Sequence, residues 1–275
     1  MPPYFGAPGF SDSYWIELLF NQAPSLDPEA LIGKLGNPYE IAVKMQNPGN
    51  GTVTVANHNH AVSMDVDGKS AKIPALTNVV WSDARIDIKE YKAPLDQTWE
   101  WDGARRALGR CWYRMLVGDL TGSRLPYRDR FQIIKDITVA CADLTHPLVC
   151  HWKEAGCLIE PSVLAEQLAR ACNVRQFEVG IAGDHIMDTL GLAALGLPDI
   201  ELHFRGLDPG AVAGFLYATA RYMFEHGDVI NDGDTVPSPD PQVHWKTAHD
   251  VASVAPPRAV VKVIPDPRYA GAAPR

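Results

Sequence analysis

The sequence predicts an α+β protein, with mixed and antiparallel sheets and helices packed on them. Three observations carry this. Apolar runs of period two are separated by Asn-Gly and Asp-Gly turns, helical stretches open on Asp-Pro and close on Gly, and 46% of the 275 residues are hydrophobic, which is enough for a sizeable core. Aromatic residues at 9% and charged residues at 21% exclude a disordered chain, and the apolar runs are too short to cross a bilayer. A formal charge of -8 disfavours nucleic acid and anionic lipid and suits a basic partner.

In chain order, Tyr14 to Phe20 is an apolar strand. Asp27-Pro28 then supplies an N-cap and a first-turn proline for a short helix through Leu31 and Leu35, stopped by Gly36. Tyr39 to Gln46 and Thr52 to Ala56 flank Asn47-Pro48-Gly49-Asn50-Gly51 and read as a hairpin. His58 to Val66 alternates, and Asp67-Gly68 turns the chain toward Ser70 to Ile73. Residues 82–102 lose a clear period around Pro94 and read as a connection. The boundary therefore falls near residue 95, giving α+β lobes over 12–95 and 96–265 that could be distant versions of one plan.

Beyond the connection, Cys111 to Val117 is a strand, and a helix from Tyr127 to Leu144 ends near His146-Pro147. Leu148 to Trp152 is a strand. Pro161 opens a helix with Leu164, Leu168 and Cys172 on one face, followed by a strand over Phe177 to Ile181. Residues 199–204 alternate as a half-buried strand. Asp208-Pro209 starts a helix carrying Val212, Phe215, Leu216, Thr219, Tyr222 and Met223 at helical spacing, with Gly227 as its stop. Val243 to Lys246 and Ala259 to Ile264 complete a strand pair. The Pro- and Gly-rich ends, 1–12 and 265–275, are expected to lie on the surface.

No secretory signal is visible at the N-terminus, so a cytoplasmic location is expected. The five cysteines, Cys111, Cys141, Cys150, Cys157 and Cys172, form no CxxC and read as reduced thiols.

Tests for chemistry yield no catalytic, cofactor or metal assignment. His58 and His60 share one side of a strand but have no third ligand nearby in sequence. Asp228, Asp232 and Asp234 around Gly233 resemble a calcium loop only superficially, because Val229 and Ile230 interrupt the donors and the closing glutamate is missing. No GxxxxGK[ST], GxGxxG or GxSxG occurs, and Asp184-His185 with Ser162 or Thr189 does not form a nucleophile set. His151, near Glu154, could serve acid-base chemistry if a cleft gathered them. Trp99 and Trp101 among Asp96, Glu100 and Asp102 could dock a basic partner, with the rings as anchors and the carboxylates selecting charge. Alternatively both rings pack inward and close the junction between lobes.

Asp188-Thr189-Leu190-Gly191-Leu192-Ala193-Ala194-Leu195-Gly196-Leu197-Pro198-Asp199-Ile200-Glu201 resembles the TLGLxALGLP-acidic signature of a bacterial family of unknown function, number 4261 in the domain-of-unknown-function series. The resemblance continues through Asp208 to His226 and Asp232-Gly233-Asp234-Thr235-Val236, and with fewer diagnostic residues reaches back to Tyr14. It implies a fold and a bacterial origin and transfers no catalytic residue. Its residues read structurally: the glycines permit close backbone approach and the leucines fill a core.

The expectation is a non-enzymatic binding protein, an immunity-type inhibitor of a secreted toxin such as those of type VI secretion. It would dock through Trp99, Trp101, Asp96, Glu100, Asp102, Asp232 and Asp234 on a basic protein partner, with no nucleic acid, membrane, metal or cofactor. The alternatives are an enzyme built on dispersed residues such as His151, His185 and Glu154, or an accessory structural protein.

Overall fold

Every residue of Trp15–Phe20 (β1) beyond the first is buried, so this strand has to lie inside a sheet covered on both faces. The computed structural model, which describes residues 13–66, 69–180, 183–239 and 243–271, places it so. The chain divides into two units, residues 13–169 and 170–271 of the described chain, each with its own sheet.

In the first unit β1 leads to the helix Pro28–Leu35 (α1), where Asp27 accepts from the Glu29 amide and Gly36 closes the last turn. Tyr39–Asn47 (β2) and Asn50–Val66 (β3) form the expected hairpin. The segments on either side of Asn57 are one long strand, its register with the next shifting between Asn57 and Ala61. Lys69–Trp81 (β4) returns along it, and the Asp67-Gly68 turn lies outside the described residues, as do 1–12 and 272–275.

The connection from residue 82 contains a 3₁₀ turn at Ile88–Tyr91 and the short helices Lys92–Asp96 (α2) and Ala104–Leu108 (α3). Tyr113–Asp119 (β5) follows, then Tyr127–Thr145 (α4), whose end is set by His146 at φ 52. Val149–Trp152 (β6), Cys157–Ile159 (β7) and Leu164–Leu168 (α5) complete the unit. The sheet order is β2-β3-β4-β5-β1-β6-β7, with all neighbours antiparallel.

The boundary expected near residue 95 is therefore displaced to Ala169–Arg170. The reason is that β4 and β5, on either side of the connection, pair directly from Thr77 with Asp119 to Trp81 with Met115. The connection covers one face of their sheet, where Tyr91, Ala104, Leu108 and Cys111 pack on Leu19, Val149 and Leu158. On the other side of β1, Phe131 of α4 meets Tyr14 and Trp152. All five cysteines are buried and free, and burial pushes the Cys111 thiol up to about 12.

In the second unit Asn173–Glu178 (β8), Asp184–Leu190 (β9) and Asp199–Arg205 (β10) run antiparallel in turn. The helix Pro209–His226 (α6) is capped by Asp208, which accepts from the Ala211 amide. Thr235–Pro237 (β11), His244–Val251 (β12) and Ala259–Ile264 (β13) then follow. The sheet order is β11-β12-β13-β10-β9-β8, with β13 parallel to β10. Val212, Leu216, Ala220 and Met223 are the buried apolar side chains of α6.

Three expectations are corrected here. The helix opened by Pro161 is a 3₁₀ turn followed by only five residues of α5, so Cys172 lies beyond it, and the Leu168 side chain is outside the described residues. The strand expected over Phe177 to Ile181 begins at Asn173 and ends at Glu178, with Ile181 outside the described residues. β10 is buried on both faces, because its alternating acids Asp199 and Glu201 point into protein and not into water.

Those acids belong to a buried ionic lattice. Arg175 on β8 grips Asp188 on β9 with two donors, Nε at 2.9 Å and Nη2 at 2.6 Å. Arg258 reaches Asp199 with Nε at 3.0 Å, and its Nη2 bonds both the Asp188 carboxylate and the Thr189 carbonyl. Asp199 also accepts from the Thr189 hydroxyl at 2.9 Å and the Leu192 amide at 3.1 Å. Remaining guanidinium donors hold the carbonyls of Val254, Ala255 and Pro256. Burial pushes the Asp199 carboxyl up, while Arg258, the Thr189 hydroxyl and the Leu192 amide pull it back.

Removing one partner from such a lattice leaves a charge stranded away from water. Arg258→Ala is expected to destabilise the second unit by roughly 3–5 kcal/mol, read as lost amide-exchange protection along β9 and β10 in a urea series.

Candidate functional site

The sequence pattern of α6 places Phe215 and Tyr222 with its apolar residues, yet neither is fully buried and Tyr222 is 48% exposed. They form one wall of a groove of about 550 Å³. The opposite wall is Val229 and Ile230, from the turn after α6, and Val236 and Pro237 of β11. Its volume falls in the range of about 300–1,000 Å³ usual for ligand sites.

The wall after α6 is a built turn. Gly233 donates to the Thr247 carbonyl at 2.8 Å, Thr247 donates back to the Asp234 carbonyl at 3.0 Å, and the Thr247 hydroxyl bonds the Asn231 carbonyl at 2.9 Å. Asp234 accepts from the Asn231 amide at 2.8 Å. Asp232 accepts from both the amide and Nδ1 of His249, at 2.6 and 2.9 Å, while Nε2 of the same ring lies 3.3 Å from Asp228. The carboxylates of the supposed calcium loop are thus engaged in shaping the turn.

With carboxylates at both ring nitrogens, His249 is favoured as imidazolium. Burial lowers its pKa, but the hydrogen bonds to Asp232 and Asp228 outweigh this and raise it above the usual value. Asp232 is held correspondingly below the ordinary carboxylate range, chiefly by the His249 amide and then by the ring.

Of the residues expected to meet a partner, Asp232 and Asp234 are exposed on this turn in the second unit, whereas Trp99, Trp101, Asp96, Glu100 and Asp102 lie in the first. The two tryptophans divide: Trp101 packs on the core, and Trp99 is 43% exposed. Asp96 is ion-paired to Lys92 at 2.8 Å, Glu100 accepts from Gln167 at 2.9 Å, and Asp102 is exposed. Lys89, Lys92, Arg105, Arg106 and Arg110 occupy the same stretch of chain, so the surroundings of Trp99 are mixed in charge.

The other histidines find separate partners. His58 pairs with Glu40 and His60 with Asp129, and among the described residues no group of three His, Cys, Asp or Glu is disposed to hold a metal. His185 lies beside Gln176 in the second unit, while His151 and Glu154 lie in the first.

A polar cluster that the sequence did not disclose surrounds His151. Its Nδ1 is 2.8 Å from the carboxylate of Glu17 on the neighbouring β1, and both residues are buried. Arg114 approaches Glu17 at 3.5 Å. Tyr91 sets its ring edge against the imidazole and brings its buried hydroxyl toward Glu17 and Arg114. Burial would raise the Glu17 pKa, but the bond from His151 prevails and lowers it. Glu154 accepts instead from the Trp15 amide, and burial pushes its carboxyl up to about 7.

The second unit is thus an α+β domain that combines a buried ionic lattice with an open apolar groove. Residues 188–264 match the family model described as Domain of unknown function (DUF4261). This bears out the resemblance from the Asp188 to Glu201 signature through α6 and the turn and carries it on through β13, while the stretch back to Tyr14 lies outside the match. The groove and most of the lattice fall inside the match. No curated protein and no solved structure gives a match to the chain. No helix among the described residues is long and apolar enough to cross a membrane.

The His249 clamp has a definite sign with pH. Because its folded-state pKa is raised, its stabilisation of the turn is complete below the unfolded value of about 6.5 and is lost as pH rises through the folded value. An NMR titration of the His249 ring is expected to give a midpoint above that of a free histidine, and Asp232→Asn is expected to move it down.

Proposed function

We propose that this chain is a non-catalytic binding protein that seats an apolar, basic-flanked segment of a protein partner in the groove between α6 and the turn at 228–234. The observation carrying this reading is the pairing of an apolar trough with a carboxylate-bearing wall. Phe215, Tyr222 and Val229 offer contact area and Asp234 lines the groove, while Asp228 and Asp232 of the adjoining turn flank His249. Such a surface anchors through its rings and selects cationic partners by charge. The overall charge of -8 acts in the same direction at longer range.

In its specific form the proposal is an immunity-type inhibitor, working in the bacterial cytoplasm, that occupies the basic active cleft of a secreted toxin. A basic cleft that handles an anionic substrate is a surface this groove complements.

The cluster of Glu17, His151 and Tyr91 supports a second reading, acid-base catalysis in the first unit. A buried carboxylate-imidazole pair beside the Tyr91 phenol is a recognisable arrangement for proton transfer.

Co-expression with the product of the neighbouring gene, assayed for toxicity, separates the two. Under the binding reading the native chain protects, and His151→Gln protects equally well. Tyr222→Ala with Val229→Ala should weaken the complex by about tenfold or more with an unchanged melting temperature, both side chains being partly in solvent. Asp234→Asn should slow association and flatten its salt dependence. Loss of protection with His151→Gln, or protection indifferent to the groove substitutions, would favour the catalytic reading.

A further inference from the structure

The connection over 85–114 is the place in this acidic chain where cations gather. It holds Arg85, Lys89, Lys92, Arg105, Arg106, Arg110 and Arg114 against Asp87, Glu90, Asp96, Glu100 and Asp102. Three of those cations line a hollow of about 460 Å³ on the first unit, between the 3₁₀ turn at Ile88–Tyr91, α2 and α3. We propose that this hollow is a binding site for a small phosphate monoester carried on an apolar body.

The floor is apolar and anchored. Leu108 is a buried member of the core cluster, Leu95 packs against that cluster, and Ile88 is partly exposed at the edge. The rim is Lys89, Lys92 and Arg105, with Asp96 the only carboxylate lining the hollow. That carboxylate is engaged by Lys92 at 2.8 Å. Neither the Lys89 ammonium nor the Arg105 guanidinium has a hydrogen-bond or ion-pair partner among the described residues. Lys89 and Arg105 therefore face a hollow with a hydrocarbon floor, with Asp96, which is bonded to Lys92 and feels the Arg105 charge, as the opposing carboxylate of its lining.

A phosphate monoester carries a charge of about −1.5 to −2 near neutral pH and presents three acceptor oxygens. Its charge complements the excess of cations on the rim, and Arg105 can meet it with two donors at once. The apolar remainder of the ligand rests on the Leu108 floor and removes the exposed surface of Ile88 and Leu95 from water. A bare phosphate would leave that floor wet, so the site discriminates by the body as well as by the head group.

Isothermal titration of the full chain with hexyl phosphate, inorganic phosphate and hexyltrimethylammonium tests this. Hexyl phosphate is expected to bind about tenfold or more tightly than inorganic phosphate, with no binding of the cationic control. Lys89→Gln with Arg105→Gln should weaken hexyl phosphate about tenfold or more at an unchanged melting temperature. Asp96→Asn should tighten it, because it removes the opposing charge and releases Lys92, an effect that structural damage would not produce. Vesicles bearing phosphatidic acid identify the source: retention of the chain on them assigns a lipid head group, and lack of retention a soluble ester. Equal affinity for hexyl phosphate and inorganic phosphate, indifference to the double substitution, or weaker binding by Asp96→Asn would overturn the proposal. None of these outcomes bears on the groove of the second unit, whose residues are untouched.

Discussion

The second unit depends on one constraint: two aspartates and two arginines are held out of water together and must satisfy one another completely. Asp188 and Asp199 stand at the beginning and near the end of the leucine- and glycine-rich signature. Arg175 comes from the strand before it, and Arg258 from the loop that precedes β13. Isolated burial of any of these charges would be costly, and the attraction between them offsets that cost only because nearly every donor and lone pair is used. The lattice therefore works as a registration device as well as a source of stability. A one-residue slip of β9 or β10 would turn the aspartates away from the guanidinium groups.

The rest of the unit follows from that anchoring. Asp199 fixes the start of the signature turn through the Leu192 amide, and Glu201 clasps the Ser253 amide and hydroxyl at 2.7 and 2.6 Å. Gly191, at φ 136, lies so close to the backbone of Ala171 and Cys172 that no side chain fits. α6 then rests on a sheet whose register is fixed, with one stripe buried and Phe215 and Tyr222 left for the groove. The signature within the stretch that matches the family model is therefore support for a surface, and the surface itself is built by the less conspicuous turn that follows α6.

Local signals were the most legible in the sequence. Asp27-Pro28, Asp208-Pro209, Gly36 and Gly227 marked helix ends because capping and fixed φ act within a few residues. The hairpin at Asn47 to Gly51 was visible for the same reason. β9 escaped because Asp184 and Asp188 interrupt an apolar pattern, and the burial of Asp188 becomes acceptable only through Arg175 and Arg258, which the fold brings to it. The boundary between units escaped because β4 and β5 pair across some thirty residues of connection whose charges resemble a linker. Of the expected contact residues, Asp234 lines the groove and Asp232 sits on the adjoining turn, since an acidic turn after a capped helix is a local feature. The side-chain positions of Trp99 and Trp101 were not legible: spacing by two gave them a common face, but the chain there folds into short helices. Glu17 and His151 meet across 134 residues, a contact that only the strand order β1-β6 creates.

The most direct test of this account is a double-mutant cycle on the lattice, with Asp199→Asn and Arg258→Gln made singly and together and stability read from urea denaturation of the second unit. The account predicts strong coupling, about 2–3 kcal/mol, with the double variant scarcely worse than the poorer single one. Costs that add to within about 0.5 kcal/mol would contradict it, since the two charges would then be contributing independently.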